Sequence, residues 1–205
     1  MLLVSFSARA WIEFAESGDV LPRGTYKLGG GPQFRMSELP GFSGTNSAAT
    51  ISTFMEGGIR DDLGWRATLG AGDLGFFLGG GMKWIPFPDY ENQPAMGLRA
   101  DVNFGKKNDS TLSAIRVAPL ISKGVQTELV TFVPYAALPL GLASVDSTSS
   151  FMMQLALGSD IKPDAWKTVM FNVELGANIT KAFSYLSINA FYLFDGGAGF
   201  KIRRK

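Results

Sequence analysis

Apolar and polar residues alternate at period two along most of this chain. The cleanest run is residues 96–105. Met96, Leu98, Ala100, Val102 and Phe104 fall on one side, and Gly97, Arg99, Asp101, Asn103 and Gly105 on the other. Residues 169–180 repeat the pattern, with Val169, Phe171, Val173, Leu175, Ala177 and Ile179 opposing Met170, Asn172, Glu174, Gly176, Asn178 and Thr180. Period two sends successive side chains to opposite faces of an extended strand. Turn-forming clusters such as Asp61-Asp62-Leu63-Gly64 and Lys106 to Ser110 separate the runs. The spacing predicts ten strands, over 24–36, 48–60, 64–71, 75–85, 95–105, 111–121, 128–143, 150–161, 168–179 and 183–194, with eight as the alternative count. Globular strands run about 5–6 residues, whereas a tilted membrane-spanning strand needs about 9–11. The length therefore favours an all-β, antiparallel up-and-down transmembrane barrel. No linker divides the meander, so residues 11–205 read as one domain. Pro32, Pro119 and Pro134 fall inside predicted strands and imply bulges or local strand ends, because proline cannot donate to a ladder.

The facing of the charged side decides what kind of barrel this is. A soluble barrel turns charge to water, and a membrane barrel turns its apolar face to lipid and its polar face to the lumen. The charged positions are Lys27, Arg35, Glu56, Arg60, Arg66, Lys83, Arg99, Asp101, Arg116, Asp160 and Glu174. Arginine leads and both signs are present, which suits bridges across a cramped lumen. Gly97, Gly105, Gly158 and Gly176 lie on the same side and make room for large neighbours. Seven cations against four anions predict an anion-preferring lumen if water remains, and a closed one if the charges pair. With strands alternating in direction, Trp11, Trp65, Trp84 and Trp166 all fall at one end, as an interfacial aromatic belt would.

Composition narrows the chemistry. The 205 residues are 46% hydrophobic and 18% charged, with no histidine and no cysteine. That removes Ser-His and Cys-His catalysis, thiolate or imidazole metal ligation, and disulfides. A net charge of +1 argues against nucleic acid as a partner. Gly70-Ala71-Gly72-Asp73-Leu74-Gly75 matches a dinucleotide-binding spacing, but Phe76-Phe77-Leu78-Gly79-Gly80-Gly81 follows and cannot start the helix which that site requires. It reads as a turn, and Asp61-Asp62 likewise reads as a polar turn and not as half of a calcium site. Glu56, Asp101 and Glu174 are the carboxylates available for acid–base work, and an ion-pair network with the arginines is the preferred reading. No cofactor, metal or catalytic residue is predicted.

Residues 1–10, MLLVSFSARA, end in a small-x-small pattern and read as the remnant of a secretory signal. The basic tail Lys201 to Lys205 reads as a solvated terminus. The alternating strands, short turns, secretory N-terminus and aromatic final strand Tyr185 to Phe194 together resemble the small outer-membrane β-barrel proteins of Gram-negative bacteria. The resemblance covers roughly residues 24–194, and no short motif points to a particular member. It implies a bacterial outer-membrane location and contact with membrane lipid or lipopolysaccharide. It also implies a monomer, and it names no protein partner. The enzymes of that class rely on histidine, so their mechanisms do not carry over. A non-enzymatic role follows, as a narrow or plugged pore for small solutes or as a structural membrane component. The alternative is a soluble secreted barrel holding a lipid-like ligand inside.

Overall fold

The computed structural model describes residues 13–36, 48–72, 75–107, 109–146 and 148–196. Residues 1–10, Trp11, the whole 37–47 loop and the basic tail lie outside them. Every regular element described is a strand: β1 (Thr25–Arg35), β2 (Ala48–Arg60), β3 (Leu63–Gly72), β4 (Gly75–Phe87), β5 (Ala95–Lys107), β6 (Ser110–Ser122), β7 (Val125–Gln126), β8 (Val130–Ala137), β9 (Leu140–Val145), β10 (Thr148–Pro163), β11 (Val169–Thr180) and β12 (Tyr185–Asp195). β12 pairs antiparallel with β1, from Thr25↔Asp195 to Arg35↔Tyr185, so the sheet closes on itself. β8 and β9 are two halves of one wall strand, since both pair with β6 on one side and β10 on the other. β7 is a two-residue extension of the hairpin leading into β8. The described wall thus has ten strands, as the spacing predicts, and not eight.

The prolines sit where the ladder is interrupted. Pro32 keeps its register with Ile51 of β2, but on its other side the β1–β12 ladder skips from Gly30↔Ala190 to Gln33↔Ser187. Pro119 lies where the partner of β6 changes from β9 to β8, and its carbonyl accepts the Leu138 N–H at 3.0 Å. The Pro134 carbonyl accepts the Lys123 N–H at 3.1 Å at the end of that seam. Each proline lacks a donor only where the ladder is already irregular.

Alternation then sorts the faces. Ile51, Leu69, Val102, Ile115, Leu142 and Leu175 are all exposed on the outside, while the arginines and carboxylates point inward. One position departs from the pattern. Arg60 is expected in the lumen but is exposed, and its Nε pairs with Asp62 at 3.1 Å in the turn. The cause is a register shift between Gly58 and Arg60 in the β2–β3 ladder. A one-residue slip sends every later side chain to the opposite face.

Aromatic residues mark both rims. Trp65, Trp84 and Trp166 lie at the end where β1 begins, and Trp84 donates its indole N–H to Asp62 at 3.0 Å. Trp166 packs 6.0 Å from Phe171, which places Phe171 in this rim and not at mid-wall. Tyr26 stacks on Phe194 at 5.6 Å in the same rim. At the opposite end, Phe34, Phe76, Phe104 and Phe151 are exposed together. A second girdle built from phenylalanine is invisible to a reading that follows only tryptophan. In the exposed turn between β4 and β5, the Lys123 ammonium and the Gly124 N–H both reach Asp89 and hold its carboxyl below the usual range.

Candidate functional site: the lumen and the segment that fills it

The interior of the barrel is polar and closely packed. Lys27, Arg35, Glu56, Arg66, Lys83, Arg99, Asp101, Arg116, Asp160 and Glu174 are all no more than 8% exposed. Inward glycines leave space for the larger groups among them. A Cβ on Gly176 would sit 2.1 Å from the Tyr185 ring, and one on Gly158 would sit 2.4 Å from the Tyr135 hydroxyl.

The chain's own N-terminal segment lies inside this interior. Glu13, Phe14, Ala15, Glu16 and Ser17 are buried within the barrel, ahead of β1. The segment runs inward from the rim where β1 starts, and it joins no strand ladder. Its apolar side chains belong to the interior packing: Phe14 sits among Ile85, Leu120 and Tyr135, and Ala15 among Phe54, Phe77 and Phe191. Nothing in the alternation of residues 13–17 announces this position. The one legible trace is the excess of cations over anions in the wall.

Glu174 is the main anchor. Its Oε1 accepts the Phe14 N–H at 2.7 Å and the Tyr185 hydroxyl at 2.6 Å. Its Oε2 accepts the Ala15 N–H at 2.7 Å and the Tyr135 hydroxyl at 2.5 Å. Both amides reach one carboxylate because Ala15 turns the chain through φ 45°, in the left-handed region that non-glycine residues rarely enter. Arg66 holds the carbonyls of the same two residues, donating to the Phe14 carbonyl at 2.7 Å and the Ala15 carbonyl at 2.9 Å.

Around Glu16 three cations converge. Lys83 Nζ lies 2.6 Å from Oε1, and Arg99 Nη1 at 2.7 Å and Arg66 Nη2 at 3.3 Å reach Oε2. Lys83 also donates to the carbonyls of Ser17 at 3.0 Å and Asp19 at 2.5 Å. At the rim, Asp19 pairs with Lys162. Glu13 accepts from the Ser52 hydroxyl.

The wall carboxylates are engaged in the same way. Glu56 binds Lys27 at 2.7 Å and also Arg66. Asp101 accepts Arg116 Nε at 3.0 Å and lies 3.2 Å from Arg99 Nε, and Asp160 accepts the Asn172 amide at 2.7 Å. Arg66 also lies 4.5 Å over the Phe54 ring and Arg99 5.2 Å over Phe14, so the guanidinium faces are covered as well. Six buried cations, Lys27, Arg35, Arg66, Lys83, Arg99 and Arg116, thus face four buried wall carboxylates, and Glu13 and Glu16 bring the buried acidic residues among the described ones to six.

No protein-family model matches the chain, and no curated protein matches it. Among solved structures it is similar to Ail, the attachment invasion locus protein of Yersinia pestis, at TM-score 0.37 and 12% identity over 84% of this chain and 99% of that one. It is also similar to LpxR from Salmonella typhimurium, at TM-score 0.41 and 12% identity over 73% of each chain. A bacterial polysaccharide outer membrane secretin aligns at TM-score 0.32 and 8% identity, over 86% of this chain and all of that one. The fold assignment rests on the closed ladder described above.

Proposed function

We propose that this chain is an outer-membrane β-barrel whose pore is held shut by its own N-terminal segment, and that its role is non-enzymatic. The carrying observation is the inversion of polarity: buried charge fills the lumen, and exposed Ile, Leu, Val and Met cover the outside between two aromatic rims. Water would be a poor solvent for that surface and lipid a good one. A soluble barrel enclosing a lipid-like ligand needs the reverse arrangement. The ion-pair network supports a packing role for Glu56, Asp101 and Glu174, because each already meets cations or hydroxyl and amide donors. Lipid or lipopolysaccharide contact along the outer face, and a monomeric state, complete the reading.

Two measurements test it. Val102 lies near the middle of β5 and faces outward. Val102→Arg should destabilise the barrel in lipid by roughly 2–4 kcal/mol, the scale for a cation at the midplane of a barrel's lipid face. Urea unfolding in vesicles reads that shift, and wild-type protein that stays soluble without detergent refutes the membrane reading. In planar bilayers the wild-type barrel should be silent or show only small, brief conductance steps. Large, steady, unselective conductance would contradict the plug.

A further inference from the structure

The contacts that hold the N-terminal segment are of two kinds. Glu174, Arg66 and Arg99 bind its main chain, and such contacts carry no information about side chains. The one plug side chain held by several cations is Glu16, which meets Arg66, Lys83 and Arg99 together. Lys83 makes each of its contacts described above to this segment. Arg66 and Arg99 keep wall partners in Glu56 and Asp101. Drawing the segment out of the barrel would therefore leave a three-cation cluster in a wall with six cations and four carboxylates. Buried cations stripped of their carboxylate recruit another anion, and guanidinium groups suit oxyanions in particular. Withdrawal also breaks no strand ladder, because the segment belongs to none.

We propose that Arg66, Lys83 and Arg99 form a binding site for small oxyanions, of which the Glu16 carboxylate is the resident occupant, and that residues 13–19 gate an anion path through the lumen. This rests on the reading of the chain as a membrane barrel and adds to it a selectivity, a ligand class and a latch. Glu16 competes with anions for the cluster, so weakening its charge shifts the balance toward the open state. The remaining wall charge then favours anions over cations in the open lumen.

The test is electrical and uses the full chain in planar bilayers under a potassium chloride gradient. Glu16→Gln keeps the shape of the side chain and removes its charge, and should raise the open probability about tenfold or more, the effect of losing one charge-assisted contact. Its reversal potential should show chloride selectivity, and added inorganic phosphate should reduce the current. A tether provides the converse. The chain has no cysteine, and a Cβ on Gly18 would lie 2.6 Å from Ser122 Oγ, close enough for a bridge between Gly18→Cys and Ser122→Cys. Oxidised, the tethered barrel should be silent; reduced, with Glu16 still in place, it should show under applied voltage only the small, brief conductance steps of an otherwise closed barrel. Cation selectivity, current that survives the oxidised tether, or a folded and inserted Glu16→Gln barrel as silent as wild type would each overturn the proposal while leaving the membrane barrel intact. If Glu16→Gln does not fold, the tethered pair decides alone: brief conductance steps that appear only after reduction support the gate, and equal current or equal silence in both states refutes it. Failure of the wild type to insert in lipid at all refutes the underlying membrane reading instead.

Discussion

Glu174→Leu should destabilise the barrel by roughly 3–5 kcal/mol, the range seen when one partner of a buried charged cluster is removed. Four donors meet this carboxylate: the amides of Phe14 and Ala15 and the hydroxyls of Tyr135 and Tyr185. Leucine accepts from none of them, and each orphaned buried donor costs about 1–3 kcal/mol before relaxation. The two hydroxyls can rotate in search of other acceptors, but the two amides are fixed by the turn at Ala15. Much of the loss therefore falls on the N-terminal segment. Glu174→Gln should cost less, about 1–3 kcal/mol, because one amide oxygen survives and only one backbone N–H loses its acceptor. Reversible urea unfolding in vesicles ranks wild type, Gln and Leu. Equal stability of all three would mean that the carboxylate does not anchor the segment.

The wall of this barrel is legible in the sequence and the contents of its lumen are not, for a physical reason. Strand facing is a period-two property, so Lys27, Arg66, Lys83, Arg99, Asp101 and Glu174 can be assigned inward from alternation alone, and the structure places them there. The same logic fails at Arg60, because a bulge adds one residue to β2 and the pattern has no local marker for it beyond Gly57-Gly58. Residues 13–19 are harder still. They adopt no ladder and obey no period, and they are recognised mainly through peptide groups that every sequence carries. What betrays them is arithmetic. Once Arg60 is removed, the inward wall has six cations and four carboxylates, and a dry lumen cannot hold that excess. Glu16 answers part of that excess from elsewhere in the chain, lying against three of the six cations. The split of the seventh wall strand at Pro139 is similar: proline announces an irregularity, while the partner change of β6 depends on the closed sheet.

Arg66→Met is expected to be at least as damaging as loss of Glu174, again roughly 3–5 kcal/mol. Arg66 donates to two successive carbonyls of the plug, pairs with Glu16 and Glu56, and lies over the Phe54 ring. Methionine keeps most of the apolar volume and the packing on Phe54, so the measured loss isolates the guanidinium and not a cavity. The partners are unequally protected. Glu16 retains Lys83 and Arg99, Glu56 retains Lys27, and the Phe14 carbonyl retains Arg99 at 3.0 Å, whereas the Ala15 carbonyl loses its 2.9 Å contact with the guanidinium. Arg66→Lys separates charge from geometry. It preserves the cation, but a single ammonium cannot span two carbonyls and two carboxylates as the planar fork does, so it should recover only part of the loss. Pairing Arg66→Met with Glu56→Gln in a double-mutant cycle gives the coupling directly. Since each removes the other's partner, the double variant should be less destabilised than the sum of the two singles, by about 0.5–3 kcal/mol. Strict additivity would show that Arg66 acts on the plug alone and that its contact with Glu56 contributes nothing to the closed state.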